Sequence, residues 1–210
     1  MLGQLRQSVE PFKTSVAKPL IYLGISPLSV TLSGLMLSLV VVVCTLTHHT
    51  GWAFLLALIA SSTDFLDGAV ARGSGKVSKT GDFLEAVIDK MVEVVLLLGL
   101  SFQHPQLCFL AASSAFLVSY IKPRLAQVIP IDNHDWPGAG DHADRIVLIL
   151  FGYLFRALNW PAWLPLTLLV ISSLVGVVQR LRYAQHLIRQ ASAQSAERLS
   201  DSQSESGADR

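Results

Sequence analysis

Six of the fifteen acidic residues in this chain fall between positions 64 and 93, on or between two strongly apolar stretches. A carboxylate inside a bilayer is expensive and marks a functional site by default. Asp64 and Asp67 stand i,i+3 and share one helix face, which Gly68 and Ala71 continue with small residues. Gly81, Glu85 and Asp89 follow in i,i+4 steps on one face of the next helix. The Arg72–Thr80 connection is short, so the two helices are expected to be antiparallel neighbours. Asp64 and Asp67 then face Glu85 and Asp89 one to two turns below the helix ends.

Four carboxylates converging at low dielectric repel strongly unless cations neutralise them. An oxygen-only donor set suits hard divalent cations, and without His or Cys ligand pairs Mg²⁺ or Mn²⁺ is favoured over zinc. Two such ions sharing carboxylates suit a reaction in which a phosphate oxygen develops charge. Gly68 and Gly81 let a flat or bulky group approach the backbone. Arg72 is placed to clamp a phosphate bidentately. The competing reading is a set of acids neutralised by Lys76, Lys79 and Lys90 as salt bridges at helix ends. It suits any two of the acids better than it suits all four. Asp82 falls off the shared face and Glu93 lies one turn deeper along it, so both are read as interfacial or packing charges.

The elements that must carry these residues follow from composition. Of 210 residues, 51% are hydrophobic and only 15% charged, with a net charge of +1. That charge content excludes a large soluble two-domain enzyme and a disordered chain. So small a net charge also speaks against a nucleic-acid binder held by a strongly basic surface. Cys44 and Cys108 both lie in apolar runs and imply neither a disulfide framework nor a zinc site. An integral membrane protein remains. Six stretches are long and apolar enough to span: Ser29–Leu46, Trp52–Ala71, Gly81–Phe102, Gln106–Ile129, Ala143–Leu158 and Pro161–Leu187. The expected fold is therefore all-α, an integral membrane bundle of six transmembrane helices.

Residues 1–26, with Arg6, Lys13 and Lys18 among apolar residues at helical spacing, are expected to form an amphipathic helix lying on the membrane surface. Residues 27–188 then form the membrane domain, and the polar residues 189–210 a disordered tail. The basic residues between the second and third spans, between the fourth and fifth, and after the sixth fall on the same side as Arg6, Lys13 and Lys18. The opposite side carries only Arg156. This asymmetry predicts cytoplasmic termini and a cytoplasmic site.

The spacing Asp64, Asp67, Gly68, Ala71, Arg72, Gly81, Glu85, Asp89 resembles the signature of the CDP-alcohol phosphotransferase (CDP-alcohol phosphatidyltransferase) family, Asp-x2-Asp-Gly-x2-Ala-Arg-x8-Gly-x3-Asp-x3-Asp. All intervals are kept and seven of eight positions are identical; Glu85 stands where the family has Asp, one methylene longer. The resemblance covers about residues 5–188 and implies a transferase that moves a lipid phosphate from a CDP-activated lipid to an alcohol and releases CMP. It implies that Asp64, Asp67, Glu85 and Asp89 hold two metal ions, with Asp89 as the general base. It further implies that Asp67, Gly68, Ala71, Arg72, Ser78 and Gly81 contact the CDP-lipid, and that the enzyme is a homodimer.

A second polar cluster comprises Ser119-Tyr120-Ile121-Lys122-Pro123-Arg124, Gly140-Asp141-His142-Ala143-Asp144-Arg145 and Gln179-Arg180. Lys122, Arg145 and Arg180 together suit a phosphorylated head group, although positive-inside charge alone explains most of them. The wording is similar to the branch of the family that uses inositol phosphate, the phosphatidylinositol phosphate and archaetidylinositol phosphate synthases. Pro123 and His142 depart from that branch. Glycerol phosphate, as in a phosphatidylglycerophosphate synthase, is the rival acceptor. Two readings of other classes stand beside the enzyme: an ion transporter, which requires acids spread through the membrane depth, and a non-catalytic lipid- or metal-binding relative, suggested by Glu85 alone.

Overall fold

The computed structural model describes residues 15–131, 136 and 138–208, with side chains up to residue 193. The described residues are helical, with no strand among them. Helix α1 covers residues 15–22. It is followed by α2 (Pro27–Leu46), α3 (Thr50–Ser74), α4 (Lys79–Ser101), α5 (Pro105–Ala126), α6 (His142–Ala157) and α7 (Trp163–Ala208). Residues 1–14 of the predicted amphipathic segment lie outside the described residues.

Among the described residues, three helical stretches are long and apolar enough to cross a membrane: Pro27–Leu46, Thr50–Ser74 and Trp163–Ala193. The distribution of side chains is that of a protein solvated by lipid. On α2 and α3, Met36, Leu39, Val40, Val43, Leu55, Leu58 and Ile59 are exposed, whereas Thr31, Ser38, Thr45, Ser61, Thr63 and Asp67 are buried. In water this would be an aggregation surface around a polar core; in hydrocarbon it is the stable arrangement. The chain is an integral membrane protein.

The chain divides into two compact units. The first comprises the residues up to Phe109 together with Ile146–Leu166; the second comprises Leu110–Arg145 and the residues from Thr167 onward.

In the first unit, α2 starts at the N-cap Ser26, whose hydroxyl accepts from the Ser29 amide at 3.1 Å, and Pro27 occupies the first turn. Helix α2 approaches α3 closely because Gly34 has no side chain. A Cβ there would strike the Thr63 hydroxyl and sit 3.2 Å from the Ala60 carbonyl. Ala53, Ala57 and Ala60 continue this small-residue seam along α3. Helix α1 covers one end of the seam, with Ala17 fully buried among Val30, Ala69 and Val70.

Helix α3 stops in a Schellman turn: Gly75 is left-handed (φ 66°), its N–H donates to the Arg72 carbonyl, and that of Lys76 donates to the Ala71 carbonyl. Three residues later Ser78 caps α4, accepting from the Gly81 amide at 3.0 Å. This tight stop and restart makes α3 and α4 the antiparallel neighbours that the spacing predicts.

At the far end of the unit, α6 secures α2 and α4 with two polar side chains. Tyr153 is fully buried and donates to the Leu96 carbonyl at 2.7 Å. Arg156 reaches the carbonyls of Thr45 and Gly99, in the last turns of α2 and α4. Those carbonyls have no partner within their helices and carry the negative end of the helix dipole. The basic residue that breaks the predicted charge asymmetry is thus a buried capping group rather than a loop charge.

In the second unit, α5 contains Pro123 and α7 is continuous to Ala208. The polar tail predicted to be disordered is helical in its backbone as far as Ala208. Ala191, Ala193, Ala196, Glu197 and Arg198 are strong helix formers, and neither Gly nor Pro interrupts the run before Gly207.

Replacing Gly34 by Val is expected to force α2 and α3 apart and to destabilise the protein by about 1–3 kcal/mol, the usual cost of overpacking. Gly51→Ala, where nothing lies within 4 Å of the added carbon, is expected to be neutral. Thermal unfolding of the two variants in detergent micelles makes the comparison.

Candidate functional site

The acids identified from spacing meet where α3 ends and α4 begins. Asp67 is fully buried, while Asp64, Glu85 and Asp89 are half-buried. Carboxylate oxygens of Asp64, Asp67 and Glu85 all lie within 4.8 Å of one another, and an Asp64 oxygen is equally close to one on Asp89. Two unit charges at 4.8 Å repel by about 3 kcal/mol at an effective dielectric constant near 20. Each like pair thus costs a large share of the stability of a typical domain. This donor set, all oxygen and converging from two helices, fits hard divalent cations.

Asp67 is held from a third helix. The buried Thr31 hydroxyl on α2 donates to Asp67 Oδ2 at 2.7 Å, and the Gly68 amide donates to Oδ1 at 2.6 Å. Both oxygens are therefore oriented, and the α2–α3 seam at Gly34, one turn from Thr31, brings the hydroxyl within reach. Sequence reasoning missed Thr31. The available signal was a hydroxyl one turn into an apolar helix, facing the same side as Gly34 and Ser38.

The remaining residues of the signature surround these acids. Arg72 is exposed and lies back along α3: a Cβ on Gly68 would be 3.3 Å from its Nη1. The bare backbone at Gly68 lets the guanidinium lie this close. Ser78 and Gly81, predicted to contact the CDP-lipid, are also the capping pair that starts α4. A cleft at this point is lined by Ala71, Ser78, Gly81 and Glu85 together with Thr31 and Lys76, and by Pro27 and Leu28 from the first turn of α2. Asp82, expected off the shared face, lines the same cleft: it sits in the first turn of α4, i,i+3 from Glu85 and i,i+7 from Asp89, which puts it beside both. Glu93 is buried and paired with Lys90 at 2.9 Å, in keeping with a packing charge.

The second polar cluster belongs to the second unit. Arg145 is 1% and Arg180 8% exposed. Arg145 donates to the Gly140 carbonyl, and Arg180 to the Val118 carbonyl at 2.8 Å. Arg180 is also ion-paired with Asp141. Both arginines thus converge on the loop before α6 and on α5. Lys122 is half-buried on α5, with its ammonium 5.8 Å from the centre of the Trp136 ring. Gln179, beside Arg180, accepts from the Ala139 amide at 2.8 Å.

Several known proteins are similar to this chain. The archaetidylinositol phosphate synthase of Pyrococcus horikoshii is 28% identical over 188 residues, covering 86% of this chain and 95% of the relative. The phosphatidylinositol phosphate synthase of Corynebacterium glutamicum is 31% identical over 188 residues, covering 82% of each. Among solved structures, the phosphatidylinositol phosphate synthase of Mycobacterium tuberculosis, crystallised with manganese and citrate, shares the fold. The TM-score is 0.70 at 23% identity, over 82% of this chain and 88% of that one. The same enzyme with CDP-DAG bound also gives 0.70, at 22% identity. Residues 25–178, which include every acid of the cluster, match the CDP-alcohol phosphatidyltransferase family, and the chain belongs to it.

Proposed function

We propose that this protein transfers the phosphatidyl-type group of a CDP-activated lipid to a phosphorylated alcohol, with inositol phosphate as the acceptor, and releases CMP. The observation that carries the reading is the convergence of Asp64, Asp67 and Glu85 within 4.8 Å, with Asp89 beside Asp64. The acceptor is argued from the similarity to inositol-phosphate-using synthases over more than four-fifths of the chain and from the buried arginine pair. Glycerol phosphate carries the same phosphate and is the alternative that the test separates.

Asp64, Asp67, Glu85 and Asp89 hold two Mg²⁺ or Mn²⁺ ions. When bound, these ions neutralise the pyrophosphate and the charge left on departing CMP. Asp67, Gly68, Ala71, Arg72, Ser78 and Gly81 receive the nucleotide and its phosphates in the cleft between the ends of α3 and α4, and the lipid tails stay in hydrocarbon. Arg72 supplies fixed positive charge to the pyrophosphate. Asp89 takes the proton from the acceptor hydroxyl as that oxygen attacks the lipid-side phosphorus. The new P–O bond forms there while the bond from that phosphorus to the CMP oxygen breaks. Lys122, Arg145 and Arg180 take the acceptor's phosphate. Helices α2–α7 cross the membrane six times, with both termini and the site on the cytoplasmic side. α1 belongs to a surface-lying N-terminal helix, and the active form is a homodimer.

An acceptor screen tests the function. CMP release from CDP-lipid with Mn²⁺ is expected with inositol phosphate and to be weak with glycerol phosphate; release with neither acceptor would refute the reading. Asp89→Asn is expected to lower kcat by roughly 10²–10⁴-fold, whereas Asp82→Asn, at the mouth of the cleft, is expected to change kcat by less than about threefold, since a charge there touches none of the transferring atoms.

Thr31→Val is expected to weaken Mn²⁺ binding roughly 10-fold or more, as the loss of a group that orients a metal ligand does. Thr31→Ser is expected to retain affinity. The readout is the Mn²⁺ concentration that half-saturates the gain in thermal stability, a measurement that requires no turnover.

A further inference from the structure

The second unit buries two guanidinium groups, and its own loop supplies an anion to one of them. A buried cation must be paired and hydrogen-bonded or it destabilises the fold. Arg180 meets that need with the Val118 carbonyl and with Oδ1 of Asp141, while its Nε is buried without an acceptor. The two partners of the ion pair differ in burial: the Asp141 side chain is 55% exposed and that of Arg180 10%. The loop that carries Asp141 is anchored by other contacts. The Ala139 amide donates to Gln179, the Gly140 carbonyl accepts from Arg145, and Gly140 (φ 71°) packs its backbone against Ser173 too closely for a side chain. The carboxylate can therefore turn out to solvent while the backbone stays in place.

We propose that Asp141 is a specificity-determining counter-anion: it occupies Arg180 until the phosphate of the acceptor displaces it, and so selects phosphorylated alcohols over neutral ones. This inference rests on the reading that this basic cluster takes the acceptor's phosphate. A phosphate brings three acceptor oxygens and can satisfy both Nη2 and the orphan Nε, where Asp141 satisfies one position only. The two anions repel, so the half-exposed one leaves. A neutral alcohol brings no charge to exchange; admitting it would strip Arg180 of its counter-ion and leave a buried cation unpaired, which is an effective way to reject a wrong ligand.

The test uses the full chain in detergent micelles, as wild type, Asp141→Asn, Asp141→Ser and Arg180→Gln. Thermal midpoints are recorded with and without inositol phosphate, and KM is measured for inositol phosphate and for unphosphorylated inositol. The expected result is that both Asp141 variants unfold at lower temperature without ligand, yet have a KM for inositol phosphate lowered roughly fivefold, the worth of releasing a half-exposed ion pair. Their preference for the phosphorylated over the neutral alcohol is expected to shrink. An unchanged or raised KM in both Asp141 variants, with Arg180→Gln still losing inositol phosphate, overturns the inference and makes Asp141 a residue that merely holds Arg180. If inositol phosphate stabilises no form and Arg180→Gln leaves its KM unchanged, the assignment of the phosphate site falls, and the inference with it.

Discussion

Like charges held together where water is scarce set the terms for this fold. Asp64, Asp67, Glu85 and Asp89 cannot be brought within a few ångströms in a membrane helix bundle without a structure that compels it. Three local devices supply the compulsion. The Schellman turn at Gly75 and the Ser78 cap reverse the chain within a few residues, so α3 and α4 place their acids side by side. The glycine at position 34 lets α2 close on α3. The Thr31 hydroxyl then fixes Asp67 from outside the pair. None of these contacts is strong alone. Their combined effect is to spend packing energy on holding an electrostatically unfavourable arrangement that a divalent cation would relieve.

The same economy of charge recurs with the opposite sign. Arg156, Arg145 and Arg180 are all buried, and each has a backbone carbonyl as partner. For Arg156 the carbonyls are those of helix C-termini, which lack an i+4 partner within the helix and bear partial negative charge. Such a site accommodates a guanidinium better than it would an ammonium, since the planar fork reaches two helices at once. Arg180 differs in that its partners include a carboxylate that solvent can still reach. A cation whose counter-ion is exchangeable is suited to binding, and one capped by helix ends is suited to structure.

Much of this was legible in the sequence, because the information is periodic and local. Apolar runs gave the helices, and i,i+3 and i,i+4 spacings gave the shared faces of the acids; with the short Arg72–Thr80 connection these bring Asp89 close to Asp64. What was not legible depends on contacts between helices far apart in sequence. Thr31 and Asp67 are thirty-six residues apart; the spacing to Gly34 and Ser38 sets Thr31 on the seam face, unlike Ser33, whose hydroxyl returns to the carbonyl of Val30, but nothing within α2 identifies the partner. Asp82 shows a limit of another kind. It stands i,i+3 from Glu85 and i,i+7 from Asp89, so the helical wheel places it beside both; a face drawn from i,i+4 steps alone is too narrow to include it. The burial of Arg145 and Arg180 is not legible in the sequence, since hydropathy treats every arginine as exposed.

The Glu85 substitution tests how much of the site depends on side-chain identity and how much on the backbone. A longer side chain adds a rotatable bond and with it an entropic cost of fixing the carboxylate. Its oxygen nonetheless lies within 4.8 Å of those on Asp64 and Asp67, so the extra methylene is absorbed by the side chain and leaves the convergence of the helices intact. A relative that had abandoned chemistry would be under no constraint to keep four carboxylates in mutual repulsion; replacing any one with an uncharged residue would stabilise the bundle. The retained charge is a standing cost, and α2, α3 and α4 are built to bear it. That argues for a site still in use, in which Glu85 changes the reach of one ligand and leaves the logic of the cluster unchanged.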